Sequence, residues 1–268
     1  MKKVRVIILR TAGTNCDQET AFAFETAGAR SDLVHINQLA DKEVDLGDYQ
    51  ILAIPGGFTY GDDIASGKIL ANELRFKFTD QIRSFSRDGK LIIGICNGFQ
   101  VLVKCCLLPN LAGDFSSIEA TLSFNDSAKF EDRWVYLSRP EGPRKASARC
   151  VWTRGLARTI YLPVAHGEGK FMVRDGAVLK KLKEKGLVVL EYTDAQGRRK
   201  AYPWNPNGST ENIAGVCDPS GRVFGLMPHP ERHISPLQHP RWTRQTASPA
   251  GDGLIIFKNG VEYIRKYL

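Results

Sequence analysis

A chain of 268 residues, 43% hydrophobic and 25% charged, can bury its own core and is too balanced for a disordered, collagenous or coiled-coil protein. Its 37 Lys and Arg against 29 Asp and Glu leave a formal net charge of +8, which permits acidic partners, yet the basic runs at Lys180 to Lys185 and Arg198 to Lys200 lack interleaved aromatics; a solvated face is read there, and no nucleic-acid partner. The six cysteines form no C-x-x-C pair, no signal-peptide apolar region opens the chain, and the longest apolar stretch is interrupted at Asn97, Gly98, Gln100 and Lys104, so a cytoplasmic location with no membrane contact is expected.

Val4 to Leu9 reads as a buried strand, followed by a helix from Asp17 to Ala27 that stops at Gly28. Leu33 to Ile36 and Tyr49 to Ile54 are short strands, Gly67 to Arg87 a helix, Lys90 to Ile95 a strand and Phe99 to Leu107 a helix. This alternation predicts an α/β fold with a mostly parallel central sheet flanked by helices. After Pro109 the strand candidates shorten: Ala120 to Phe124, Trp134 to Leu137, Leu187 to Tyr192, Ile213 to Cys217 and Val223 to Met227, read in part as a small antiparallel extension. With no repeat and no linker composition, residues 1–268 are read as one domain with a loop insertion at about 235–251 before a C-terminal helix from Gly253 to Tyr267.

The chemistry concentrates in three segments. In Ile92 to Gln100 a strand runs into Gly94-x-Cys96-x-Gly98 and then a helix, which is the pattern of a nucleophile elbow with sulfur in place of oxygen. The turn is tight enough to need glycine on both sides, and it sets Cys96 at a helix N-terminus that favours the thiolate. The backbone N–H of Asn97 then points where an oxyanion would form. The competing reading of Cys96 is a small buried hydrophobe; the framing glycines oppose it, and Cys105, Cys106, Cys150 and Cys217, which lack them, are assigned to packing. Among five histidines, His229 stands out in Met227-Pro228-His229-Pro230-Glu231. The prolines keep this segment extended, alternation puts Glu231 beside the imidazole, and the pair reads as base and orienter. A surface loop histidine, or a metal pair with His233 that Pro230 disfavours, are the other readings. Third, Pro55-Gly56-Gly57 ends a strand, and the Gly57 N–H is a candidate second oxyanion donor. No Gly-Lys-Ser/Thr follows, so a phosphate cradle is not expected. Gln100, one helical turn past the elbow, is a candidate substrate contact.

These segments in this order resemble the class I (triad) glutamine amidotransferases, of flavodoxin-like architecture. Within that superfamily P-G-G-F-T-Y-G-D-D, G-I-C-N-G-F-Q, A-H-G-E-G (Ala165 to Gly169) and M-P-H-P-E-R look like the glutaminase subunits of phosphoribosylformylglycinamidine synthase. The resemblance covers Val4 to Arg232 and Gly251 to Tyr267; the proline-containing stretch from Ser235 to Pro249 departs from it. It implies that L-glutamine is hydrolysed to glutamate and ammonia through a Cys96 thioester, with His229 and Glu231 completing the triad, Gly56 and Gln100 at the substrate, and His166 and Glu168 near the glutamine pocket, in substrate orientation or partner-linked signalling; a structural hydrogen-bonding histidine is the other reading of His166. It also implies delivery of ammonia, in purine biosynthesis, to a large synthase subunit, accompanied by a small bridging subunit. No cofactor or metal is expected in this chain, with ATP and magnesium on the synthase partner. Competing functions are another triad amidotransferase, a γ-glutamyl hydrolase, a thiol stress protein of similar fold, or a non-catalytic regulatory module.

Overall fold

The computed structural model describes residues 3–140, 149–244 and 249–268. Its main sheet has nine strands in the order β2-β1-β3-β4-β11-β10-β9-β6-β7. The first five, β2 (Arg30–His35), β1 (Arg5–Arg10), β3 (Ile51–Ile54), β4 (Leu91–Ile95) and β11 (Val223–Leu226), run parallel. Every residue of β3, β4 and β11 is buried, as continuous apolar strands covered on both faces must be. On one face α1 (Asp17–Thr26) packs against the C-terminal helix α7 (Leu254–Tyr267), with the Phe24 and Phe257 rings edge to face at 4.9 Å. On the other lie α3 (Lys68–Lys77), α4 (Thr79–Arg87) and α5 (Asn97–Lys104); α2 (Ile36–Ala40) follows β2.

The sheet continues antiparallel through β10 (Ile213–Cys217), β9 (Val188–Thr193), β6 (Glu131–Ser138) and β7 (Thr159–His166). A separate ribbon pairs β5 (Ala120–Ser123) with β8 (Lys170–Val173), and α6 (Gly176–Glu184) precedes β9. One continuous apolar cluster runs from Val4 to Ile264.

The structure corrects several expectations. The helix expected from Gly67 to Arg87 is two helices broken at Phe78 (φ −122°, ψ 11°). The break turns the chain so that Leu70 and Leu74 bury in the first helix and Ile82 and Phe85 in the second, with Phe78 itself buried between them. The elbow helix starts at Asn97 and ends at Lys104, where Cys106 turns left-handed (φ 64°). Strands β7 and β8 are additions to the elements the sequence predicts. Pro163 argues against a strand in sequence, but β7 is an outer edge, and the Trp134–Pro163 pair points its missing N–H away from β6. Within the expected 235–251 insertion, Pro236–Gln238 and Trp242–Arg244 form 3₁₀ turns, and residues 245–248 lie outside the described residues. Among the described residues no helix is long and apolar enough to cross a membrane.

Candidate active site

Cys96 stands between β4 and α5 with φ 51° and ψ −105°, a backbone strain that the surrounding strands must hold in place. Its N–H donates to Leu226 O at 2.8 Å, locking the elbow to β11. A methyl group on Gly98 would stand 1.8 Å from Ile54 O, and one on Gly94 would stand 2.5 Å from Gly98 O, so the expected glycine requirement is met by close backbone approach on both sides. The thiol is 5% exposed, its Sγ 3.7 Å from Ala165 O of β7.

The β4–β11 register places Leu226 beside Ile95, and the chain beyond β11 brings His229 to the thiol. His229 Nδ1 donates to Glu231 Oε1 at 2.6 Å, and the side chains are only 2% and 0% exposed. A carboxylate only accepts, so Nδ1 carries a proton and Nε2 is the nitrogen that gives and takes a proton in the chemistry; among the described residues Nε2 is buried with no hydrogen-bond partner. Burial works against the imidazolium, but the charges of Glu231 and of a Cys96 thiolate outweigh it and raise the His229 pKa well above the ordinary histidine range. The path of the chain differs from the extended segment expected. Pro230–Arg232 is a 3₁₀ turn with His229 as its N-cap residue, because the fixed φ of proline suits the first position of a helical turn. The base and its orienter therefore meet across a turn, not along a strand.

Edge strand β7 holds that turn. Its outward-facing positions are Tyr161, Pro163 and Ala165. Pro163 O accepts from His229 N (2.8 Å), Tyr161 O pairs with His233 Nδ1 (2.7 Å), and Tyr161 N donates to Asp252 Oδ2 (2.8 Å).

The Gly57 loop abuts the first turn of the chain: Phe58 N donates to Gly13 O (2.8 Å), and Cys16 N to Gly56 O (3.2 Å). Among the described residues, the Gly57 N–H has no backbone acceptor, as an oxyanion donor requires. The Asn97 side chain staples this loop to the elbow. Its Oδ1 accepts from Thr59 Oγ1 (2.7 Å) and Thr59 N (3.3 Å), and its Nδ2 donates to Asp62 Oδ1 (3.1 Å) and Gln100 Oε1 (2.9 Å).

Two residues expected at the substrate have their polar groups occupied within the protein. Gln100 receives Asn97 on its oxygen and donates from Nε2 to Glu168 O at 2.5 Å. His166 is 3% exposed, with Nδ1 3.2 Å from Asn125 Oδ1 and Nε2 3.4 Å from Asn207 Nδ2. Burial first, and then the nearby His229 charge, hold its pKa down at about 3, so the ring is neutral. Gln100 ties the 166–169 turn to α5 while His166 ties it to Asn125 and Asn207, and Glu168 completes the latch through Ser66 N (3.3 Å) and Lys104 Nζ (3.9 Å). Gly56 packs on the imidazole: a methyl group there would stand 2.7 Å from His229 Cε1.

Cys16 is a further residue of the site that no motif in the sequence marks. It is 1% exposed, with Sγ 4.0 Å from His229 Nδ1 and 3.2 Å from Arg232 Nη2. No spacing rule links positions 16 and 229; only the β1–α1 connection brings them together.

The family model for the CobB/CobQ-like glutamine amidotransferase domain matches residues 3–264. A protein of Dehalococcoides mccartyi named phosphoribosylformylglycinamidine synthase subunit PurQ is 49% identical, covering 99% of this chain and 100% of the relative. A Methanococcus maripaludis protein of the same name is 40% identical, covering 98% of each. Among solved structures, a chain in the structure of PurLQS from Thermotoga maritima superposes with a TM-score of 0.71 at 30% identity, covering 98% of this chain and 100% of that one. On sequence and fold together this chain belongs to the CobB/CobQ-like glutamine amidotransferase family, alongside the PurQ subunits of phosphoribosylformylglycinamidine synthase.

Proposed function

We propose that the chain is the glutaminase subunit of phosphoribosylformylglycinamidine synthase in purine biosynthesis, with Cys96, His229 and Glu231 as its catalytic residues. The observation that carries the residue assignment is the buried 2.6 Å contact between His229 and Glu231 beside the strained thiol. The Cys96 thiolate attacks the side-chain amide carbon of L-glutamine, and the N–H groups of Gly57 and Asn97 receive the charge that develops on the amide oxygen. The imidazolium gives its Nε2 proton to the departing nitrogen and ammonia leaves, forming the γ-glutamyl thioester. His229 Nε2 then takes a proton from water, the hydroxide attacks the thioester carbon, and glutamate is released as Cys96 recovers its electron pair. Glu231 holds the ring so that Nε2 faces the reaction throughout.

The ammonia goes to a large synthase subunit, with a small bridging subunit completing an assembly of the kind named PurLQS. ATP and magnesium belong on the synthase partner, and this chain carries no cofactor of its own. The continuous core supports reading residues 1–268 as one glutamine amidotransferase domain, and six unpaired thiols suit a reducing cytoplasm. The test is to measure glutamine hydrolysis by the purified chain alone and with the synthase subunit and its nucleotide substrate. Stimulation by the partner, with amidine formed, is expected; full glutamate release without it, and no amidine with it, would identify a stand-alone hydrolase.

A further inference from the structure

Beside the Nδ1 edge of the imidazole, next to the carboxylate that orients it for hydrolysis, stands a buried thiol, Cys16, that amide hydrolysis does not use. Cys16 Sγ, His229 Nδ1 and a Glu231 carboxylate oxygen all lie within 4.8 Å of one another, and all three residues are buried. The second carboxylate oxygen, Glu231 Oε2, is fully buried and has no hydrogen-bond partner among the described residues, an unusual condition for a charged oxygen. We propose that Cys16, His229 and Glu231 form a site for one thiophilic divalent cation, Zn²⁺ or Cd²⁺, and that its occupation switches the glutaminase off.

Thiolate, imidazole nitrogen and carboxylate are the ligand types zinc takes, and three protein ligands leave the fourth position for water. Donors around tetrahedral zinc stand about 3.5 Å apart, so capture draws Cys16 Sγ in from its 4.0 Å separation from Nδ1 and moves the Glu231 carboxylate off Nδ1, where it stands at 2.6 Å, onto the metal. The Cys16 thiol proton, now directed at Asn15 Oδ1 (3.2 Å), and the Nδ1 proton leave to solvent. The ring keeps its proton on Nε2. An imidazole bound to metal through Nδ1 and protonated on Nε2 cannot take a proton from the water that must attack the thioester, so turnover stops with every catalytic side chain in place. One group opposes capture: the Arg232 guanidinium, held by Glu19 through Nε (2.6 Å), donates from Nη2 to the Cys16 sulfur at 3.2 Å. Its charge repels a cation at that sulfur and holds the affinity down.

The loss of activity rests on His229 acting as the base; the binding measurement does not. Cobalt(II) titrated into the full chain carrying Cys96→Ser, which removes the competing catalytic thiol, should bind once per chain and give a sulfur-to-cobalt charge-transfer band in the near ultraviolet that zinc displaces. Adding Cys16→Ser should abolish the band. Arg232→Gln, which leaves all three donors in place, should tighten binding by on the order of tenfold, and it serves if the serine variant does not fold. In the complex, zinc should stop glutamine-dependent synthesis, spare ammonium-dependent synthesis, and be reversed by chelation. Absence of the band in the Cys96→Ser chain, a band that survives loss of Cys16, or affinity unchanged or weaker in Arg232→Gln overturns the site. Cobalt bound through Cys16 while zinc leaves glutamine-dependent synthesis intact overturns the switch and counts against His229 as the base.

Discussion

Gly56→Ala tests the triad without touching any group that does chemistry. Gly56 does not have positive φ, so alanine fits the backbone and the whole effect is steric. The new methyl would stand 2.7 Å from His229 Cε1 and 3.0 Å from Cys16 Sγ. Ordinary contact begins at 3.4 Å, so the imidazole must yield by about 0.7 Å. It cannot yield freely, because Glu231 holds Nδ1 at 2.6 Å and Pro163 O holds the His229 N–H at 2.8 Å. Overpacking of this kind costs about 1–3 kcal/mol of stability, small enough to leave the chain folded. Misplacing a catalytic group by nearly an ångström costs on the order of 10²-fold in rate, or ~2.7 kcal/mol of transition-state stabilisation. The assay compares glutamine-dependent with ammonium-dependent synthesis by the reconstituted complex, with urea unfolding of the isolated chain as the control for folding. Loss confined to the glutamine-dependent reaction is expected. A folded Gly56→Ala chain with the full glutamine-dependent rate would refute the claim that the position of His229 governs the chemistry.

Cys96→Ser should abolish glutamine-dependent synthesis and spare the ammonium-dependent reaction, and an electrophilic glutamine analogue should label Cys96 alone among the six thiols, read by peptide mapping. His229→Ala should cost about as much as Cys96→Ser, while Glu231→Gln, which keeps the shape and removes the charge, should cost less; kcat/KM of each variant measures the order. Because the His229 pKa is raised in the fold, the stability it gains from Glu231 is fully present below about pH 6.5 and is lost as pH rises through the folded value, so the gap in urea midpoint between wild type and Glu231→Gln should narrow as pH is raised above about 6.5. His166 has the opposite sign: the unfolded chain takes up its proton near 6.5 and the folded chain only at about 3, so stability should fall across that acid range, and His166→Gln should flatten the fall.

What the sequence made legible was local. Gly94, Cys96 and Gly98 lie within five positions, and the strain they signal is confined to one turn, so the elbow could be read from spacing alone. His229 and Glu231 are legible for the same reason, although the turn that joins them reads in sequence as extended chain; two prolines exclude a long helix without excluding a single 3₁₀ turn. Distant relations were not legible. Gln100 and His166 carry side chains suited to a substrate, and only the fold shows Asn97, Glu168, Asn125 and Asn207 occupying them. Cys16 had no glycine frame and no near partner in sequence. Strand β7 was hidden by Pro163, whose tolerance depends on which side of a sheet it faces, a fact that exists only after β6 has paired with it.

The same edge strand bears on how the protein survives at high concentration. An outermost strand of eight residues is a template on which a second unfolded or partly folded chain can add. On β7 that template is largely spent: the proline offers no donor at its centre, its carbonyl is taken by the segment that carries the imidazole, and the Tyr161 carbonyl and N–H are taken by His233 and Asp252. The turn that performs hydrolysis thus also seals the end of the sheet. Variants that loosen it would expose a pairing surface as they lose activity, so some inactive chains would be recovered as aggregates although their cores are intact. For that reason a purified yield is a poor guide to catalysis at these positions, and the soluble fraction has to be counted before any rate is compared.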